Sequence, residues 1–134
     1  MLSIIFKKNY MFEQDYIMRQ IHQFIKVLVK MLFNIDSEFP ALQLLEYTNA
    51  RGTTEDLLRK IDDGKINEAE NDLFELVEDK TKDSLLTGII FYSHLNDKND
   101  DFLESNDFSR DEVEDGIKHL LSEYKIDGMD DFFL

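Results

Sequence analysis

His22, His94 and His119 are the side chains here whose ordinary titration lies nearest neutral pH, and the chain has no cysteine. Beside carboxylates, imidazoles of this kind serve as general acids and bases or as metal ligands. Each of the three falls on a different predicted helix, and no two share the i, i+4 spacing that puts a ligand pair on one face. Glu123 follows His119 by one helical turn. A histidine–carboxylate site would therefore have to be assembled between helices, and the local pattern reads as three unrelated, partly exposed histidines. Acid pairs carry less information still, because 29 Asp and Glu residues make chance pairs inevitable. Asp97, Asn99 and Asp101 have the first three spacings of an EF-hand loop. Phe102 then stands where glycine is needed and Phe108 where the bidentate glutamate is needed, which excludes that site. No P-loop, dinucleotide glycine fingerprint or nucleophile elbow is present. No residue is assigned to catalysis, to a cofactor or to a metal.

The elements that would have to position such groups are helices. Asp15-Tyr16-Ile17-Met18-Arg19-Gln20-Ile21 opens a long apolar run to Phe33. At 3.6 residues per turn, Ile17, Ile21, Phe24, Leu28, Met31 and Leu32 share a face, widened by Met18, Ile25 and Val29. The polar stripe is narrow: Arg19, Gln23, Lys26 and Lys30. The charges place this helix from near Glu13 and Asp15 to near Lys30, acid at its start and base at its end. Pro40 suits the first position of a short helix ending about Tyr47. Thr53 reads as the N-cap of a further helix carrying Leu57, Leu58 and Ile61, with Gly64 as its stop. Another helix follows at once, burying Ile66, Ala69, Leu73, Leu76 and Val77. The next is expected from about Asp83 to Leu95, and Asn96 to Asp107 reads as a polar connection. Ser109 and Glu112 form a capping box for the last helix, with Phe108 and Val113 as its hydrophobic staple. No alternating strand pattern occurs.

Composition narrows the partners. Residues 1–50 carry five basic and five acidic side chains; residues 51–134 carry 10 and 24, which accounts for the whole net charge of −14. Such a field repels phosphate backbones and anionic membranes, so nucleic acid is a poor partner. Lys26 and Lys30 interrupt the first helix short of a membrane span, and Leu2 to Phe6 is too short for a signal sequence. The cysteine-free composition fits a cytoplasmic protein. The tail from Met129 to Leu134 is expected to tuck Phe132, Phe133 and Leu134 onto the domain's own core, with docking into a partner groove as the alternative.

Gly64-Lys65-Ile66-Asn67-Glu68-Ala69, followed by Leu73, resembles the middle of a tetratricopeptide repeat. There a glycine ends the first helix and a small residue lets the second approach closely. The match covers half of one repeat, and no second copy follows. Three longer blocks carry a broader resemblance: Met11 to Ile21, Ile61 to Asn71 and Asp107 to Val113. From Met11 onward the chain resembles a small family of uncharacterised bacterial proteins of the Firmicutes type, a domain of unknown function. The resemblance implies a helical cytoplasmic protein and brings no activity, cofactor or catalytic residue.

The expected fold is all-α, with five to six helices packed around a long N-terminal amphipathic helix and one tetratricopeptide-like hairpin. Residues 1–10 are expected to be an N-terminal extension from an upstream start, and 11–134 a single helical domain. The expected function is a non-catalytic protein-interaction or scaffold module, with a protein partner or self-association through the first helix. The alternative is a small-molecule-binding protein or enzyme with an inter-helix histidine/carboxylate site.

Overall fold

A computed structural model describes the backbone of residues 2–36 and 41–126, and side chains from Gln14 to Asp36 and from Gln43 to Ile126. The described residues are all-α. In chain order the helices are α1 (Leu2–Phe33), α2 (Ala41–Leu44), α3 (Arg51–Asp62), α4 (Ile66–Leu76), α5 (Lys82–Asn96), α6 (Asp100–Ser105) and α7 (Arg110–Glu123). Single 3-10 turns, Leu45–Tyr47 and Val77–Asp79, extend α2 and α4. Pro40 and the tail from Met129 to Leu134, for which a helix start and a docking role are expected, lie outside the described residues.

The first helix begins at Leu2, well before the Glu13 expected from charge placement. No glycine or proline occurs between Leu2 and Phe12, and a helix once nucleated adds a hydrogen bond with each further residue. At 32 residues it is about 48 Å long. Ile21, Phe24, Ile25, Leu28 and Val29 are buried, as the periodicity requires, whereas Met31 remains 64% exposed. Burial of Ile21, Ile25 and Val29 within the chain's own core removes them from any surface for self-association.

The α3 boundary also differs. The helix starts at Arg51 with Ala50 at its cap, so Thr53 lies inside it. Thr48 accepts the Ala50 N–H through its hydroxyl (3.1 Å) and turns the chain early. Thr54 donates its hydroxyl to the Ala50 carbonyl (2.8 Å) and meets the Thr87 hydroxyl of α5 at 2.9 Å, both threonines being buried. The connection expected from Asn96 to Asp107 contains α6, capped by Asn99, whose side chain accepts the Phe102 N–H at 2.8 Å.

Helix α5 occupies the middle of the fold. Ser84 to Ser93 are all buried, and α1, α2, α3 and α7 pack against it. Helix α4 packs on α3 as the second arm of a hairpin, with Ala69 and Leu73 fully buried. Ser109 caps α7 as expected, accepting the Glu112 N–H at 3.2 Å, and Phe108 and Val113 are both buried.

Candidate functional site

A groove of about 480 Å³ lies between α4 and α7, lined by Glu70, Asn71, Phe74, Glu112, Asp115, Gly116 and His119. Helical spacing sets the two walls. Residues 70, 71 and 74 share one face of α4; 112, 115, 116 and 119 follow the i, i+3, i+4, i+7 stripe of α7.

Tyr92 of α5 lies behind this groove, fully buried, and its hydroxyl donates to Glu70 Oε2 at 2.7 Å. Its approach depends on Gly116. A Cβ at that position would lie 2.4–2.5 Å from the Tyr92 ring and hydroxyl, closer than carbon and oxygen pack. Glycine inside a helix costs roughly 1 kcal/mol relative to alanine, and here that cost makes room for the tyrosine. The phenol is pushed well above its ordinary range by burial, reinforced by the adjacent Glu70 carboxylate, so it stays a donor.

Burial pushes the Glu70 carboxyl up, and repulsion from Glu112 adds to the effect. The Tyr92 hydrogen bond and His119 oppose it without cancelling it. No lysine or arginine forms an ion pair with Glu70 among the described residues. The aromatic wall comes from Phe74, stacked on the His119 ring at 4.3 Å and 17°. His119 Nε2 lies 3.2 Å from Glu123 Oε1, and Glu123 accepts Lys80 Nζ at 2.6 Å through its other oxygen. That lysine holds the Glu123 carboxyl below its usual range.

The other two histidines stand elsewhere. His94 Nε2 lies 2.7 Å from Asp62 Oδ1, which also accepts Lys98 Nζ at 2.6 Å. Burial pushes Asp62 up, but these two hydrogen bonds outweigh it and hold the carboxyl low. His22 is exposed on α1. Desolvation raises Asp97, and the nearby charges of His22 and His94 both act against that rise. His94 is thus paired with Asp62, His22 stands exposed on α1, and His119 lines the α4–α7 groove. Among the described residues no group of three or more histidine, aspartate or glutamate side chains is placed to hold a metal ion. Asn99 and Asp100 of the excluded calcium loop are engaged in capping α6 and in pairing with Arg110.

Sequence reasoning missed Glu70, Tyr92 and Gly116. The available signal was Gly116 itself, a glycine within an otherwise strong helical run, which marks a close approach. It missed Arg110 as well, which is 2% exposed. Its Nη1 donates to the Asn96 carbonyl at 2.6 Å, and its Nη2 to the Lys98 carbonyl (2.9 Å) and Asp100 Oδ1 (2.7 Å). Asn96 in turn donates to the Met18 carbonyl of α1 at 3.0 Å.

An acidic groove with an aromatic wall thus lies on an all-α domain. The chain belongs to a family of unknown function, DUF6483, whose model matches residues 11–125. No curated protein and no solved structure matches it.

Proposed function

We propose that this protein is a non-catalytic interaction module that binds a basic protein partner through the α4–α7 groove. The observation that carries the reading is the groove itself, a concave surface lined by Glu70, Glu112 and Asp115 together with the Phe74 ring. It lies within residues 51–134, which hold the whole net charge of −14. A field of this sign speeds encounter with a basic surface and disfavours nucleic acid. No helix among the described residues is long and apolar enough to cross a membrane. A cytoplasmic setting, suggested by the absence of cysteine, belongs to the same proposal.

The alternative, a small-molecule site or enzyme using a histidine and carboxylates, has one observation in its favour: His119 and Glu70 line the same groove. Yet the His119 ring is stacked on Phe74 and its Nε2 faces Glu123. That arrangement makes it a wall of the groove more than a free base.

The test uses exposed positions. Glu112→Lys with Asp115→Lys reverses the rim charge, and both residues face solvent. Affinity capture from the native cell, read by mass spectrometry, is expected to lose a basic partner with this variant while circular dichroism stays unchanged. An identical set of captured proteins with both forms would overturn the proposal.

A further inference from the structure

Gln14 is an uncharged polar residue in a core position. It lies about two and four helical turns before Ile21 and Leu28 on α1, shares their buried face, and is 6% exposed. Its side-chain amide has no hydrogen-bond partner among the described residues. There, Arg110 Nε is the side-chain polar atom sealed from solvent without a partner, so the Gln14 amide is unpartnered but not sealed. It opens on a cavity of about 260 Å³, which Gln14 lines together with α6, the turn after it and the first turn of α7. A buried amide left unpaired opposes folding, and a ligand that pairs with it offsets that cost. We propose that this cavity binds a primary alkylammonium group, with the Gln14 amide oxygen accepting one of its N–H bonds. The proposal does not rest on the α4–α7 groove, although Glu112 borders both cavities.

The walls choose the charge of the occupant. Glu104, Asp107 and Glu112 line the cavity and form no ion pair among the described residues. Arg110, the cation on this wall, is already paired with Asp100. The positive end of the α7 dipole amounts to roughly half a unit charge, so these carboxylates outweigh it. The chemistry of the donors then separates an organic cation from a metal. A hard metal ion needs about six convergent oxygens. Among the described residues no group of three or more histidine, aspartate or glutamate side chains is placed to hold one. An ammonium needs only as many acceptors as it has N–H bonds, and the amide oxygen and the rim carboxylates supply them. Leu103 and Phe108 line the same space and offer apolar surface to an aliphatic stem.

The direct test titrates the isotope-labelled full chain, at constant ionic strength, with 1,4-diaminobutane, with lysine capped at both ends, and with tetramethylammonium. The side-chain amide signals of Gln14 and the backbone amide of Ser109 report on the cavity. Saturable shifts at both are expected with at least one of the two primary amines. Tighter binding of the diamine assigns the site to a free amine, and tighter binding of the capped lysine assigns it to a protein's lysine side chain. Tetramethylammonium carries the charge without an N–H and should leave the signals unmoved. Gln14→Met keeps the length of the side chain and removes the amide. It should weaken the amine about tenfold, and it should melt no lower than the native chain, because an unpaired amide has left the core. Glu104→Gln with Asp107→Asn changes exposed positions, and asparagine tolerates the left-handed backbone of residue 107. This pair should weaken the amine several-fold, and it decides the matter if Gln14→Met folds poorly. No response to either amine overturns the proposal, and is the result expected if water alone satisfies the amide. An equal response to tetramethylammonium overturns it as general attraction. Undiminished binding to folded Gln14→Met, or to Glu104→Gln/Asp107→Asn, overturns it as well.

Discussion

A carboxylate whose pKa is raised by folding weakens the fold when it ionises, and Glu70 is such a group. Burial favours its neutral form in the native state. Its contribution is therefore fully present below the ordinary glutamate range and is lost as pH rises through the higher native value. Glu70→Gln, which stays neutral, should melt above the native chain at pH 7–8 and converge with it below about pH 4, as thermal melts across that range can show. Gly116→Ala pits two effects against each other. Helix propensity favours alanine by roughly 1 kcal/mol, while forcing a methyl against the buried Tyr92 ring costs about 1–3 kcal/mol. Because the ring is enclosed and tied to Glu70, the clash should win, giving a lower urea midpoint. Gly88→Ala meets the terminal methyls of Leu120, which can rotate away, so its loss should be smaller. These residues escaped the sequence reading for a definite reason. Glu70 is one of 29 acidic residues, and only the fold shows that its neighbour is a buried phenol.

Helix ends show how far local rules reach. Helices α3, α6 and α7 close in the same way, by a bond from the third residue past the helix to a carbonyl five positions back. The pairs are Lys65 to Lys60, Phe108 to Leu103 and Ile126 to Leu121, each 2.9 Å. The residue between must adopt a left-handed backbone. Gly64 does so at φ 83°, and it was legible as a stop. Asp107 and Lys125 do so at φ 56° without being glycine, and although aspartate tolerates this backbone better than lysine, neither marks the stop as plainly. Their compensation is tertiary: Phe108 is buried and Ile126 packs against the core. In α1, likewise, periodicity named the buried face, but the start at Leu2 depends on the mere absence of a breaker. Arg110 marks the limit of local reading, since its acceptors come from the end of α5 and the start of α6. Arg110→Met should cost about 3–5 kcal/mol in denaturant melts, because it strands Asp100 and two carbonyls without their donor.

At the scale of the molecule, the family match begins at residue 11, one residue after the stretch read from the sequence as an extension. A chain shortened to begin at Met11 should melt within a few degrees of the full one. A large drop would place Leu2, Ile4, Ile5 and Phe6 in the core. The Arg110 guanidinium has a wider consequence, for how the structure opens. Six residues are too few to hold α6 as an independent helix. Its capping neighbours are fastened to a side chain at the first position of α7, and Asn96 carries the tie on to α1. The stretch from Asn96 to Arg110 therefore has no cheap local opening available to it. Its hydrogen-bonded amides, those of Leu103 and Phe108 among them, should exchange with solvent only when α7 itself comes loose, so a six-residue helix becomes a reporter on the breathing of one more than twice its length.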